Sequence, residues 1–404
     1  MAPASPSARS AASARAGASG RPAAGTRPRN RRQLIVDAAG RVFSERGYHK
    51  ASMEEVAAQV GITAAALYRH FPNKYALFAE CAHVMVDGLV AALDEVPADA
   101  PLADLLDALT RVTIAHRASG GVYRWEARYL DREDRRRLRG KFSRLVERVD
   151  GAVQREHPLP DGRLRAMAAL GAIGSITMHR TSIAQRRAEE LLLAAALRVA
   201  ATDPAAGRRA ARPVELPVRP VPRTRRSEIL AASIPLFARD GFANVTNGQI
   251  ADAVGLTPSA LYRHYQGKID ILAAACLQAA GLLAQGVEQS LHGVTDPHDA
   301  VVALAATYVA YSFEYTELNS VAEAELAGLP TDLRRPLVLA QRNHIAVWEQ
   351  QLRLARPELD PRQARVLVHA GFGAVVEAGR RLRWRDSPQH RETVTGLVVA
   401  ALGL

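Results

Sequence analysis

Apolar positions recur at helical spacing from about residue 31 onward, and two stretches carry the same order of starts and stops. In the first, Ile35, Ala38, Ala39, Val42 and Phe43 lie on one stripe, which predicts a helix over about 30–46 that stops at Gly47. Ser52 opens Ser-Met-Glu-Glu with Glu55 in capping-box register, so a second helix starts near 53 and ends before Gly61. Gly61 is the turn, and Thr63 caps a third helix through His70. In the second stretch Thr246 and Gln249 repeat the capping box and Gly255 repeats the turn. Thr257 and Pro258 then repeat the third start, with proline at the first helical position, where it is tolerated.

The segments beginning at Arg31 and Arg225 align without a gap. Phe43, Gly47, Ala57, Gly61, Thr63, Leu67, Tyr68, Arg69, His70 and Lys74 recur as Phe237, Gly241, Ala251, Gly255, Thr257, Leu261, Tyr262, Arg263, His264 and Lys268. Such a repeat sets the domain count before any single residue is interpreted. Helix, tight glycine turn, helix is an arrangement whose second member is positioned to enter a DNA major groove.

A longer helical region follows each repeat. Breaks are expected at 97–101, 118–121 and 156–162 in the first, and near 293–297, 328–330, 357–361 and 386–388 in the second. Five prolines between Asp203 and Arg223 predict an extended, basic linker. The expected organisation is all-α. A basic tail (1–28) precedes a first helix-turn-helix domain (29–75) and a first helical bundle (76–202). The linker (203–223), a second helix-turn-helix domain (224–269) and a second bundle (270–404) follow. Small residues on apolar helices, at 170–176 and 368–376, allow close backbone approach and make the last helices of each half candidates for a mutual interface or for ordinary core within each domain.

Composition sharpens this picture in three ways. Of 404 residues 48% are hydrophobic but only 5% aromatic, which implies cores of Ala, Leu and Val. The formal net charge of +12 favours a polyanionic partner, and the arginines cluster at Arg9–Arg32 and Arg208–Arg226, ahead of each repeat. The first 28 residues lack an apolar run, so they are expected to be disordered rather than a secretion signal, and charges interrupt the most apolar helices well before the roughly 20 residues a membrane span needs. Cys81 and Cys276 read as reduced core residues in a cytoplasmic protein.

Helix one ending in Phe-x-x-x-Gly-Tyr/Phe, followed by Val/Ile-Ala, Val-Gly, Leu-Tyr-Arg-His-Phe/Tyr and a lysine, resembles the DNA-binding domain of TetR-type transcriptional repressors. The resemblance covers about 50 residues strongly in each half. It implies an all-helical subunit, usually a homodimer, in which a small ligand in the C-terminal domain changes the separation of two DNA-binding heads. Two such subunits in tandem would make this chain its own covalent pseudo-dimer on double-stranded operator DNA, acting at the nucleoid, with pairing of two chains still open.

The candidate DNA-contacting set is Arg31, Ser52, Thr63, Ala64, Ala65, Tyr68, Arg69, His70 and Lys74 in the first head. In the second it is Arg225, Thr246, Thr257, Pro258, Ser259, Tyr262, Arg263, His264 and Lys268. Thr63 and Thr257 offer a hydroxyl and helix-start amides to a phosphate. Tyr68, His70, Lys74 and their counterparts resemble the family's backbone-clamping residues, which set affinity and docking. Arg69 and Arg263 can meet phosphate or a base edge. Ala64 and Ala65 present methyl groups where Pro258 and Ser259 present a different shape and a hydroxyl, so unequal half-sites are expected. Pro235 is expected to interrupt the first helix of the second head, and Gly248 to weaken its second helix.

For a small hydrophobic or amphipathic organic effector, Tyr123, Trp125 and Met178 are candidates in the first half and Tyr311, Tyr315, His344, Trp348 and Phe372 in the second. The chain lacks HExxH, P-loop, dinucleotide-fingerprint and G-x-S-x-G patterns and any clustered Cys/His set, so neither an enzyme nor a cofactor or metal is expected. The competing reading is a small-molecule sensor in which one or both heads are degenerate.

Overall fold

The computed structural model describes residues 31–117, 129–203 and 214–404. The tail at 1–28, the break at 118–121, Tyr123, Trp125 and linker positions 204–213 lie outside the described residues. Those described form seventeen α-helices and no strand.

The first head comprises α1 (Arg31–Lys50), α2 (Met53–Gln59) and α3 (Ala64–Tyr68). α1 is broken at Gly47, whose φ of 75° is readily adopted only without a Cβ. The capping box at Ser52 forms reciprocally with Glu55, and the Thr63 side chain accepts from the Ala66 amide. Ile35, Phe43, Val56, Leu67, Phe71, Leu77 and Phe78 pack into one core that joins the three helices to α4 (Lys74–Asp94). Each such side chain contributes about 1.5–3 kcal/mol on burial. The bundle continues with α5 (Leu102–Ala115), α6 (Arg132–Glu156), α7 (Gly162–Gly174) and α8 (Gln185–Ala201).

The second half repeats the plan. α9 (Arg225–Asp240), α10 (Asn247–Ala253) and α11 (Pro258–Leu261) form its head, and α12 (Lys268–Leu291) leads into the bundle. This bundle contains α13 (Pro297–Glu314), α14 (Thr316–Glu325), α15 (Thr331–Ala355), α16 (Pro361–Arg381) and α17 (Pro388–Leu402). Pro235 does not interrupt α9: its ring is exposed, while Ile229, Ser233, Ile234 and Phe237 remain buried on the other face, and that packing outweighs the lost backbone bond. Residues 178–184 between α7 and α8, and Tyr315 between α13 and α14, are breaks that no proline or glycine announces.

The expectation about apolar helix length is corrected by α4 and α12, both of which are long and apolar enough by composition to cross a membrane. About half of each stretch is buried within the fold, α4 against α1, α5 and α6, and α12 against α13, α14 and α15.

The two halves share one hydrophobic core. α7 lies along α16, with α8 and α17 packed beside them. Ala168, Ala169, Ala172, Leu192 and Ala196 from the first half meet Val366, Leu367, Ala370, Ala374, Leu397 and Val398 from the second. Arg198 donates from Nε to the Ala400 carbonyl at 2.9 Å and from Nη2 to Ala401 at 3.0 Å. A cation from one half thus neutralises the negative end of the other half's last helix.

Candidate nucleic-acid interface and effector cavity

Each head presents its turn and third helix outward. Thr63, Ala65, Tyr68, Arg69 and His70 are exposed, as are Thr257, Pro258, Ser259, Tyr262 and Arg263, while Ala64 and His264 are half-buried. Tyr68 and Tyr262 leave about half of their surface to solvent, so neither ring belongs to the three-helix core. The turns depend on Gly61 and Gly255, at φ 66° and 65°. Ser52 and Thr246 each cap a helix, and Arg225 pairs with Glu228 at 2.8 Å; Arg31 is half-buried at the start of α1.

Lys74 and Lys268 do not project outward. Lys74 Nζ donates to the carbonyls of Tyr48, His49 and Ala51 at 2.9, 3.3 and 3.1 Å and lies over the Tyr48 ring. Lys268 Nζ does the same to Phe242, Ala243 and Val245 at 2.8, 3.2 and 2.8 Å, over the Phe242 ring. All three protons of each ammonium are therefore committed to the turn after the head's first helix, and burial lowers the Lys268 pKa. Sequence inspection also passed over Arg32 and Arg226. Each donates to the carbonyl of the head's histidine, His70 or His264, and stacks on the next aromatic ring, Phe71 or Tyr265. Their signal was present as a repeated Arg-Arg pair.

The heads differ at α2 and α10. Asn247 donates from Nδ2 to the Tyr262 hydroxyl at 2.8 Å, whereas the equivalent Met53 is buried.

A cavity of about 790 Å³ opens among α12, α13, α14, α15 and α16. Met178, Tyr311, His344 and Phe372 line it, while Tyr315 and Trp348 do not. Tyr315 instead donates to the Pro217 carbonyl at 2.7 Å, holding the end of the linker against α13. Trp348 is fully buried behind the wall, with its indole N–H donating to His344 Nε2 at 3.2 Å. Burial pushes the pKa of His344 down to about 4 and, with help from nearby Arg365, that of His369 to about 4. His369 stacks on His179 of the first half, with ring centroids 4.1 Å apart. Cys276 lines the same cavity, and burial raises its pKa to about 12, which leaves a protonated, inert thiol at neutral pH.

A separate cleft of about 730 Å³ lies between the halves and carries Arg135, Arg139, Arg163 and Arg380. Asp296, His298 and Asp299 bring possible metal donors together at the start of α13; all three are exposed, and Asp296 already caps the helix.

The description "Bacterial regulatory proteins, tetR family" matches residues 35–81 and again residues 229–275. The nucleoid occlusion factor SlmA of Sodalis glossinidius (strain morsitans) is 30% identical over 146 residues, which span 34% of this chain and 70% of that protein. The HTH-type transcriptional activator FasR of Mycolicibacterium smegmatis is 41% identical over 68 residues, spanning 16% of this chain and 31% of that one. Among solved structures, a TetR-family transcriptional regulator from Bordetella parapertussis 12822 aligns at 23% identity and a TM-score of 0.40, covering 44% of this chain and 95% of that chain.

Proposed function

Because this chain belongs to the tetR family of bacterial regulatory proteins, and is thus a DNA-binding transcriptional regulator, we propose that it is a ligand-responsive repressor that holds an operator as a covalent pseudo-dimer. One observation carries the reading: two exposed recognition helices, α3 and α11, belong to a single chain whose halves share a core at α7 and α16. Thr63, Thr257 and the helix-start amides hold phosphate, Tyr68 and Tyr262 fix docking, and Arg69 and Arg263 supply charge to the backbone or a base edge. Lys74 and Lys268 act as positioning residues, setting the angle between each head's first helix and α4 or α12. Ala64 and Ala65 against Pro258 and Ser259 make the two half-sites unequal. An organic effector in the bundle with different affinities for the DNA-competent and incompetent arrangements shifts the balance between them. The protein works in the cytoplasm, at the nucleoid.

The test is selection of genomic fragments by the purified chain at moderate salt, followed by the mass of the complex on the selected site. One compact motif with two different halves, occupied by one chain, supports the reading. Recovery of random fragments overturns sequence-specific regulation and favours a sensor with degenerate heads. Two identical halves overturn the unequal reading, and two chains per site overturn the pseudo-dimer.

A further inference from the structure

We propose that the chain senses through its second half alone, where the cavity of α12–α16 takes one uncharged, mainly apolar molecule per chain, while the corresponding space in the first half is closed. This rests on the ligand-responsive reading and assigns it a site and a ligand class.

The two bundles can be superposed by number. The shift that carries Arg132 to Thr331 at the starts of α6 and α15 also carries Gly162 to Pro361 at the starts of α7 and α16. It carries Phe142 to Gln341, Leu145 to His344, Leu170 to His369, Ile173 to Phe372 and Met178 to Glu377. The repeat shift from Lys74 to Lys268 carries Met85 to Ala279 and Leu89 to Leu283. All seven first-named positions except Met178 line a first-half cavity of only about 40 Å³, and Glu377 reaches it from the second half. Their partners line the large cavity, which Met178 reaches from the first half. The same place in the fold is thus filled in one half and open in the other. Leucines stand in the first half where the second has imidazoles, and methionine stands where it has alanine.

The wall chooses an uncharged guest. Among the described residues, no lysine or arginine lines the cavity. Glu323 receives the Asn319 amide at 3.2 Å and the Tyr308 hydroxyl, and Glu288 and His292 sit exposed at the rim. His344 and His369 are kept neutral by burial, and because Trp348 occupies His344 Nε2, the ring proton resides on Nδ1 as a donor for a ligand acceptor. An anion would lose its water without gaining a counter-charge, and a cation would meet Glu323 only by competing with the two hydrogen bonds that this carboxylate already accepts. The wall also reaches both heads. Leu326 lines the cavity, its neighbour Glu325 accepts from the Phe242 amide of the second head at 3.4 Å, and the Gly328 carbonyl accepts from Lys50 of the first.

Three dyes titrated into the full chain test this by fluorescence: uncharged Nile red, anionic anilinonaphthalene sulfonate and cationic rhodamine 6G. The expected result is one Nile red per chain, with the charged dyes at least about tenfold weaker. Ala279→Met with His369→Leu, which installs the first-half residues, should weaken Nile red at least about tenfold while circular dichroism stays unchanged. If that double variant misfolds, Ala279→Met alone serves. Two dyes per chain, or Nile red binding that survives the filled cavity, overturns the one-sided assignment and leaves the ligand-responsive reading standing. Tighter binding of a charged dye overturns the ligand class. Failure of all three dyes overturns the ligand-responsive reading itself.

Discussion

Gly171 and Gly373 meet backbone to backbone across the two halves: a Cβ built on either would fall deep inside contact distance of the other's carbonyl oxygen. These carbonyls belong to helical ladders, so neither can rotate aside without breaking hydrogen bonds. The close approach of α7 and α16 therefore requires glycine at both positions. Gly171→Ala and Gly373→Ala should each destabilise the chain by about 1–3 kcal/mol through forced separation of the helices. Urea midpoints measure this, and midpoints equal to the parent's would show that the junction yields without cost.

Lys74 and Lys268 should act on DNA only through the fold. Lys74→Met keeps the aliphatic stem but leaves three carbonyls without their charged donor, and it should cost about 1.5–3 kcal/mol of stability. Operator affinity should fall with an unchanged salt slope. Arg69→Ala, by contrast, should lower the slope by about 1 if its charge meets a phosphate. A reduced slope for Lys74→Met would mean that its ammonium leaves the turn on binding.

The Asn247–Tyr262 bond has no partner in the first head, where Met53 is buried. Asn247→Ala should free the Tyr262 ring and weaken one half-site by about 1 kcal/mol while sparing the other. Footprinting on operators with one half scrambled separates the two effects. Equal weakening of both halves would contradict independent heads.

His369 makes stability depend on pH. Its pKa is about 4 in the fold against an ordinary value of 6.5, first from burial and then from Arg365, and the stacked His179 is lowered further. Between those values the unfolded chain binds a proton that the folded chain refuses. The stability present at neutral pH is therefore lost as pH falls from about 6.5 toward 4, by roughly 3 kcal/mol for this group when complete. Denaturation midpoints at pH 7 and 5 should differ less in His369→Leu than in the parent, with a remainder from His179 and His344. An unchanged difference would place the dependence elsewhere.

Local rules carried far in this chain. The gapless repeat, the capping boxes at Ser52 and Thr246, the turns at Gly61 and Gly255, and the breaks marked by proline were all legible because each depends on residues within a turn or two of one another. For the same reason the sequence by itself determined an all-helical chain with two helix-turn-helix heads. Only the tertiary structure decided where long side chains end. Lys74 folds back to a turn 23–26 positions away, Tyr315 reaches the linker rather than the cavity, and Trp348 lies behind the wall it was expected to form. Packing also kept α9 intact through Pro235. The open cavity in one half and the filled one in the other arise from Met85, Leu145 and Leu170 against Ala279, His344 and His369, positions that converge from separate helices. Periodicity places a residue on a helix face, but whether that face meets a void, a neighbour or the other half depends on long-range packing, which no short window of sequence contains.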